Sequence, residues 1–161
     1  MTKFQLISQF LKDISFESPN VPELFFIQDN GQAKMDITAD IEVKGADGNI
    51  YMVDLFVTLH SKLDANDKSI FTIKSNYSGL VQTETVENEE ELKKILLIEI
   101  PQLLFPSVRA LILRITGESG FPLFAMQPID FNELYENKKA EEIEIGKFEV
   151  SKPKKSFFKT T

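Results

Sequence analysis

The segment from Met35 to Leu59 most constrains how this chain can fold. Apolar and polar residues alternate without exception from Met35 to Val43, the pattern of a strand with one buried and one solvated face. Asp47-Gly48 follows and favours a tight hairpin turn, because both central residues of such a turn adopt positive φ. A second run, with apolar residues at every other position from Tyr51 to Leu59, then returns beside the first. These features predict an antiparallel sheet.

Two further segments predict strands of the same sheet. The first lies near the N-terminus, where apolar residues occupy even positions and Ser8 and Lys12 interrupt the pattern. Its apolar residues are Phe4, Leu6, Phe10, Ile14 and Phe16. The second runs from Ile70 to Val81, after a turn at Asp64–Asp67. Taken in chain order, the four strands predict an antiparallel meander.

The hydrophobic period then changes to that of a helix. Acidic residues from Glu87 to Glu91 suit the positive end of a helix dipole. Residues at a helical spacing form one apolar face: Leu104, Val108, Leu111, Ile112 and Ile115. Gly117 and Gly120 are expected to end this helix. Asp130 with Glu133 resembles a capping box and predicts a short helix over residues 131–138.

The predicted fold class is therefore α+β, with a four-stranded antiparallel meander sheet packed by one long helix and a short C-terminal helix. The length of 161 residues suits a single domain. Basic residues outnumber acidic residues after residue 136, although the whole chain carries a net charge of -7. This shift predicts a folded domain over residues 1–140 and a polar, flexible tail over residues 141–161.

The residues offer little for catalysis. His60 is the single histidine, and near a strand end a histidine is more often structural than a catalytic base. No Gly-x-Ser-x-Gly turn presents a nucleophile, and no glycine-rich loop suits a phosphate. Asp64–Lys68 begins like a calcium loop, but glycine is missing at its sixth position and Ser75 replaces the required glutamate. We expect no enzyme activity, no cofactor and no metal.

Composition narrows the environment of the protein. The absence of cysteine excludes disulfides and thiolate zinc sites and fits a reducing cytosol. The negative charge repels phosphate backbones, so nucleic acid is not an expected partner. No long apolar region typical of a signal peptide occurs at the N-terminus, and the longest apolar run, Ile95–Ile98, is too short to span a bilayer. We expect a cytoplasmic protein without direct membrane insertion.

Three short segments after the sheet carry the most information about function. Gln102–Pro106 opens the long helix, Gly120–Leu123 forms an apolar loop after it, and Pro128–Tyr135 contains the start of the last helix. Such a loop and lid would line a channel between helix and sheet. The alternative is that they only close the core.

The same segments resemble the SecB family of bacterial export chaperones. Leu104-Phe105-Pro106, Gly120-Phe121-Pro122 and Pro128–Tyr135 match the family pattern in order and spacing, and Lys12–Asn20 is similar to the first strand of the family and the turn after it. The chain differs at Ile98–Gln102, where the family often carries a cysteine. It also differs at Lys74, where an acid is common.

The resemblance implies a homotetramer arranged as a dimer of dimers. It also implies a holdase without ATP or cofactor, which keeps secretory precursors unfolded and delivers them to the translocation ATPase SecA. Family counterparts of Asp13 and Glu17 meet the basic, zinc-bearing C-terminal tail of SecA, so these two acids are the expected docking residues. Lys74 is expected to weaken that attraction.

Two sets of apolar residues complete the prediction. The expected wall and lid of a groove for unfolded clients are Phe25, Phe26, Met35, Ile37, Phe121, Leu123, Phe124, Met126, Phe131, Leu134 and Tyr135. Phenyl rings and thioethers suit varied partners, because they repack easily. The expected residues of the oligomer interface are Phe71, Ile73, Tyr77 and Leu113.

Two other functions remain open at this point. The first is a SecB-like chaperone dedicated to one client, such as an antitoxin. The second is a carrier that encloses a small molecule or a lipid between sheet and helix.

Overall fold

The alternating segments fold into one twisted sheet in the structure, a computed structural model that describes residues 3–26, 32–139 and 146–147. Its four long strands are β1 (Phe4–Glu17), β2 (Ala33–Ala46), β3 (Ile50–Leu63) and β4 (Ser69–Thr83), and all their pairings are antiparallel. A two-residue strand, β5 (Gly146–Lys147), adds to β2 in the parallel direction. The sheet therefore includes two residues of the predicted tail, and the rest of residues 141–161 lies outside the described residues.

The hairpin between β2 and β3 confirms the predicted turn but shifts its special conformation by one residue. Gly48 and Asn49 adopt positive φ, at 78° and 58°. Glycine tolerates this conformation because it has no Cβ, and asparagine is among the residues that enter it most readily. Asp47 therefore precedes the two residues with positive φ and is not one of them.

The order of the strands is β1-β4-β3-β2-β5, which corrects the predicted meander at one point. Strands β2, β3 and β4 follow one another as expected, but β1 lies beside β4. Strands β4 and β3 therefore lie between β1 and β2. Two side chains of the connection after β1 bind the start of the β4 region, with Ser18 Oγ 2.7 Å from the Ile70 carbonyl and Asn20 Nδ2 2.9 Å from the Ser69 carbonyl.

Strand β1 also departs from simple alternation. Its register with β4 shifts between Leu6 and Ser8 and again between Leu11 and Asp13, so Ile7 and Lys12 are extra residues in two bulges. Phe10 consequently pairs with Ser78 on the face away from the helix and is 37% exposed. Strict alternation would have placed Ser8 and Lys12 on the buried face.

The predicted long helix is continuous but has three parts. α1 (Glu89–Lys94) leads through a π-helical turn (Ile95–Glu99) into α2 (Ile100–Glu118). Pro101 lies in the first turn of α2, directly after the π-helical turn, and Pro106 lies inside the helix. Neither proline supplies an N–H to the helical hydrogen bonds. α2 extends past Gly117, and Gly120 leaves the helix with a φ of +87°.

The helical run packs on one face of the sheet. Ile100, Leu104, Val108 and Ile112 are almost fully buried there, together with Val53, Leu55 and Val57 from β3. Within the described residues, one helical run (Glu89–Glu118) has the length and apolar composition to cross a membrane, and half of its most apolar window is buried in the protein. Such burial is typical of a core helix.

The last helix, α3 (Phe131–Lys138), begins as predicted at Asp130. The Asp130 carboxylate accepts hydrogen bonds from the backbone N–H groups of Asn132 and Glu133, at 3.0 and 3.2 Å. These bonds satisfy two donors that have no partner within the helix.

Candidate functional site

Five phenyl rings from separate parts of the chain form an aromatic cluster beside the sheet. Phe121, from the segment after α2, lies at its centre, with ring centroids 5.3 Å from Phe71 and 5.5 Å from Phe25. Phe16 and Phe124 extend the cluster, at 6.0 and 6.2 Å from Phe71. These separations are those of favourable aromatic pairs. The cluster fixes the segment after α2 and the connection before β2 against the strands.

Phe25 of this cluster is exposed to solvent, as are two apolar residues adjacent in sequence to cluster members, Phe26 and Leu123. Phe25 and Phe26 belong to a short 3-10 helix (Glu23–Phe26) and are 51% and 79% exposed. Leu123 is 85% exposed. We name Phe25, Phe26, Phe121, Leu123 and Phe124 the aromatic patch. Large apolar side chains concentrated in this way are typical of a binding surface.

A second apolar region adjoins β2. Met35 is 37% exposed, and the register places it in one row across the sheet with Ser61 and Phe71. Further along β2, Ile37 and Leu134 line a cleft of about 400 Å³ between β2 and α3. We name this space the β2–α3 cleft. The structure thus brings Met35, Ile37 and Leu134 to the side of the sheet that carries the aromatic patch.

Three residues that were predicted for the wall or lid of the client groove are buried in the core instead. Met126, Phe131 and Tyr135 are only 6%, 1% and 3% exposed. Phe131 packs edge-on against Phe105, with their ring centroids 6.0 Å apart. This corrects their assignment to the groove, because side chains with so little accessible area seal the core and cannot contact a client.

Helix α3 is held over this part of the core by polar contacts. The Tyr135 hydroxyl donates to Glu90 Oε2 at 3.1 Å, and Lys139 Nζ lies 3.7 Å from the same oxygen. Lys138 pairs with Asp40 of β2. Burial, and then the hydrogen bond to Glu90, raise the pKa of the Tyr135 phenol above its usual value of 10.0. Tyr135 therefore remains a neutral donor at physiological pH.

Asp13 and Glu17 lie on the opposite face of the sheet, which we name the outer face. Asp13 is paired with Asn76, and Glu17 is paired with Thr72. Ser15 and its partner Lys74 lie between them. Both acids are exposed, as is Lys74. The two carboxylates share a face as expected, and the amino group of Lys74 belongs to the same surface.

The residues predicted for the oligomer interface fall into two groups, three that are buried within the chain and one that is partly exposed. Phe71, Ile73 and Tyr77 are 2%, 0% and 8% exposed, because they face the helix inside a single chain. This corrects their assignment, since an interface needs accessible area. Leu113 on α2 is half-buried and keeps some area for a partner.

Sequence reasoning missed three exposed apolar residues of β1, a strand at one edge of the sheet. Ile7, Phe10 and Leu11 are 47%, 37% and 40% exposed. The sequence signal was the apolar character of Ile7 and Leu11. Both are at odd positions, whereas the even positions of this segment were predicted to face the core. The edge of β1 away from β4 has no partner strand among the described residues.

The residues considered for metal binding do not converge in the described parts of the chain. No group of three or more histidine or acidic side chains with the arrangement of a metal site occurs in residues 3–26, 32–139 and 146–147. His60 lies on the outer face, with its Nε2 3.3 Å from Ser69 Oγ. That contact gives the histidine a structural partner.

Comparison with solved structures shows that this fold is similar to that of a SecB-like chaperone. A SecB-like chaperone of Mycobacterium tuberculosis, solved in complex with a peptide from the HigA1 antitoxin, superposes with a TM-score of 0.63. The match covers 79% of this chain and 91% of that one, at 18% sequence identity.

Sequence comparison assigns the family. The SecB family, described as preprotein translocase subunit SecB, matches residues 1–142. Proteins named protein-export protein SecB include one from Rhodospirillum centenum, 34% identical over 80% of this chain and 74% of its own length. Another, from Anaplasma phagocytophilum, is 32% identical over 86% of this chain and 94% of its own length. The chain belongs to the SecB family and is a chaperone of preprotein export. Membership of this chaperone family implies a non-enzymatic role.

Proposed function

We propose that this chain holds unfolded preproteins on the aromatic patch and along β2 as far as the β2–α3 cleft. The observation that supports this most strongly is the exposure of Phe26 and Leu123, which respectively follow Phe25 and precede Phe124 of the aromatic cluster in sequence. An unfolded chain differs from a folded one in its exposed apolar side chains and unpaired backbone. A surface of phenyl rings can accept such side chains without requiring a particular sequence.

The affinity arises from several weak contacts. Burying one aromatic side chain of a client contributes about 2 kcal/mol. One contact is therefore too weak for holding, whereas several along a continuous surface give useful affinity. Because these contacts are apolar, client binding tolerates high salt better than an interaction between charges.

Clients are then delivered to SecA through Asp13 and Glu17. Two exposed carboxylates on one face of the sheet suit a basic peptide. Lys74, between them, lowers the attraction without removing it. The Asp13→Lys, Glu17→Lys double variant should abolish binding to SecA at low salt and leave client holding unchanged.

The matched control for that variant is Asp36→Lys with Glu42→Lys. Asp36 and Glu42 are exposed acids of β2 on the same outer face but at the other edge of the sheet. The control changes the net charge by the same amount, so it separates docking at Asp13 and Glu17 from general attraction. Equal loss of binding in both variants would contradict the docking site.

The chain works as a homotetramer in the cytoplasm, without ATP or a cofactor. The exposed apolar side chains of Ile7 and Leu11 on the free edge of β1 support pairing of two copies at this strand. Partly exposed residues of α2, such as Leu103 and Leu113, support a second contact between dimers. Light scattering that showed only the 18.4 kDa monomer at micromolar concentration would contradict the tetramer.

A chaperone dedicated to one client is less favoured, although the Mycobacterium tuberculosis chaperone of this fold was solved with an antitoxin peptide. The relatives that cover most of this chain carry export names. The deciding experiment compares several unfolded precursors with one another. Delayed refolding of all of them supports a general export chaperone, and delay of only one supports a dedicated chaperone.

A further inference from the structure

The bulge at Lys12 controls which residues of β1 reach the outer face. Leu11 pairs with Tyr77 and Asp13 pairs with Asn76, so Lys12 is the additional residue between two consecutive pairs. Upstream, the bulge at Ile7 has already shifted the register once. Each shift by one residue turns the following side chains to the other face of the sheet.

The two bulges compensate each other. After the first, residues 8–11 are inverted relative to Phe4 and Leu6, which pack against the core. The second restores the original orientation, so that Ile14 and Phe16 again pack against the core. If the second bulge were lost alone, Ile14 and Phe16 would turn outward and Asp13 would turn toward the helix.

A buried polar contact fixes the position of the second bulge. Lys12 Nζ lies 3.3 Å from Asp54 Oδ1, and the Ser78 hydroxyl donates to the same oxygen. Asp54 is on β3, and its side chain is only 2% exposed. A carboxylate so far removed from water requires compensating partners. The Lys12 side chain is 34% exposed, so it reaches this site from the surface.

We propose that Lys12, through Asp54 and Ser78, is a positioning residue that aims Asp13 and Glu17 at the docking partner. This inference rests on the proposed docking of a basic segment of SecA to those two acids. Lys12 would not itself contact the partner. It would hold the strand in the register that presents both carboxylates on the outer face.

The direction in which SecA affinity changes when a lysine charge is removed distinguishes a positioning role from simple electrostatics. A lysine near an acidic docking surface repels a basic peptide, so its removal should strengthen binding if charge alone matters. Lys74→Met is the reference for that effect and is expected to bind SecA more tightly. Lys12→Met is expected to bind SecA about tenfold more weakly. This factor corresponds to the loss of about one contact between charged groups, because the acids would no longer be held in position. Lys12→Arg should retain wild-type binding, and Asp54→Asn should resemble Lys12→Met.

The register itself is measured by disulfide formation. The chain has no cysteine, so an introduced pair contains its only thiols. Ser15→Cys with Lys74→Cys reports the register after the second bulge, and Gln5→Cys with Gln82→Cys reports it before the first. Adding Lys12→Met should slow oxidation of the first pair several-fold and leave the second pair unchanged.

Each outcome decides one part of the inference. Tighter SecA binding by Lys12→Met, or unchanged oxidation of the Ser15–Lys74 pair, would overturn the positioning role. If reversing Asp13 and Glu17 leaves SecA binding intact while Lys12→Met slows oxidation, the docking assignment fails and the control of register by Lys12 stands.

Discussion

Phe25 stacks on Phe121 with their ring centroids 5.5 Å apart, which joins the connection before β2 to the segment after α2. Phe25 and Phe121 are 96 residues apart in the chain, and both belong to the aromatic patch. Gly120 allows the contact, because a Cβ at this position would lie 3.3 Å from Cζ of Phe25. The geometry of the patch therefore depends on a residue without a side chain.

Replacing Gly120 with alanine is expected to destabilise the protein and disturb the patch. The φ of +87° is unfavourable for alanine, and the new methyl group would press on the Phe25 ring. We expect the free energy of unfolding to fall by about 1–2 kcal/mol in urea denaturation, with weaker client binding.

Gly117→Ala is the matched control for that substitution. Gly117 lies within α2, and a Cβ there would have no atom within 4 Å among its described surroundings. Alanine should stabilise this helical position by about 0.5–1 kcal/mol. Equal changes in the free energy of unfolding for Gly120→Ala and Gly117→Ala would show that neither the positive φ of Gly120 nor its approach to the Phe25 ring affects stability.

Alkaline pH should loosen α3 through Tyr135. Burial and the hydrogen bond to Glu90 raise the phenol pKa above 10.0, so the folded protein retains this proton more strongly than the unfolded chain. The corresponding stability is complete below pH 10 and is lost as the pH rises through the raised pKa. We expect the melting temperature to fall as the pH rises above about 10, the pKa of an ordinary tyrosine.

Tyr135→Phe identifies the group responsible for that decline. The variant should melt at a lower temperature near neutral pH, because it lacks the bond to Glu90, but its decline at alkaline pH should be shallower. Tyr51→Phe provides the comparison from a tyrosine of β3. An identical alkaline decline in wild type and Tyr135→Phe would contradict this assignment.

Removing the N-cap of α3 should cost stability without changing the patch. Asp130→Ala deletes the acceptor for the Asn132 and Glu133 amides, so thermal unfolding should show a loss of about 1 kcal/mol. Asn132→Ala, at an exposed position of the same helix, should cause no comparable loss. A neutral effect of Asp130→Ala would mean that solvent replaces the cap fully.

The sequence predicted the elements whose patterns are local. The alternation of β2 and the turn at Gly48 define a hairpin by themselves, and Asp130 marks the start of α3 through its own hydrogen bonds. All five residues of the aromatic patch were among those predicted for the client groove, and their contact with clients stays a prediction.

What escaped prediction depends on contacts between distant residues. Lys12 contacts Asp54 on the outer face, Ser78 donates to the same carboxylate, and neither residue is near Lys12 in sequence. The place of β1 beside β4 likewise depends on the path of the connection through Ser18 and Asn20. Periodicity identifies the apolar face of a strand, but it does not show whether a helix or a second copy covers that face. Phe71, Ile73 and Tyr77 were assigned to the wrong partner for that reason.

The most direct test of the account is client holding by the Phe26→Ser, Leu123→Ser double variant. Both side chains are largely exposed, so the variant should fold and melt like wild type while its ability to delay refolding of an unfolded precursor falls severalfold. Val21→Ser changes another exposed apolar residue of the connection between β1 and β2, and this variant should hold clients normally. Phe131→Ser changes a core residue, and this variant should unfold. Undiminished holding by the folded double variant would contradict the claim that clients bind the aromatic patch.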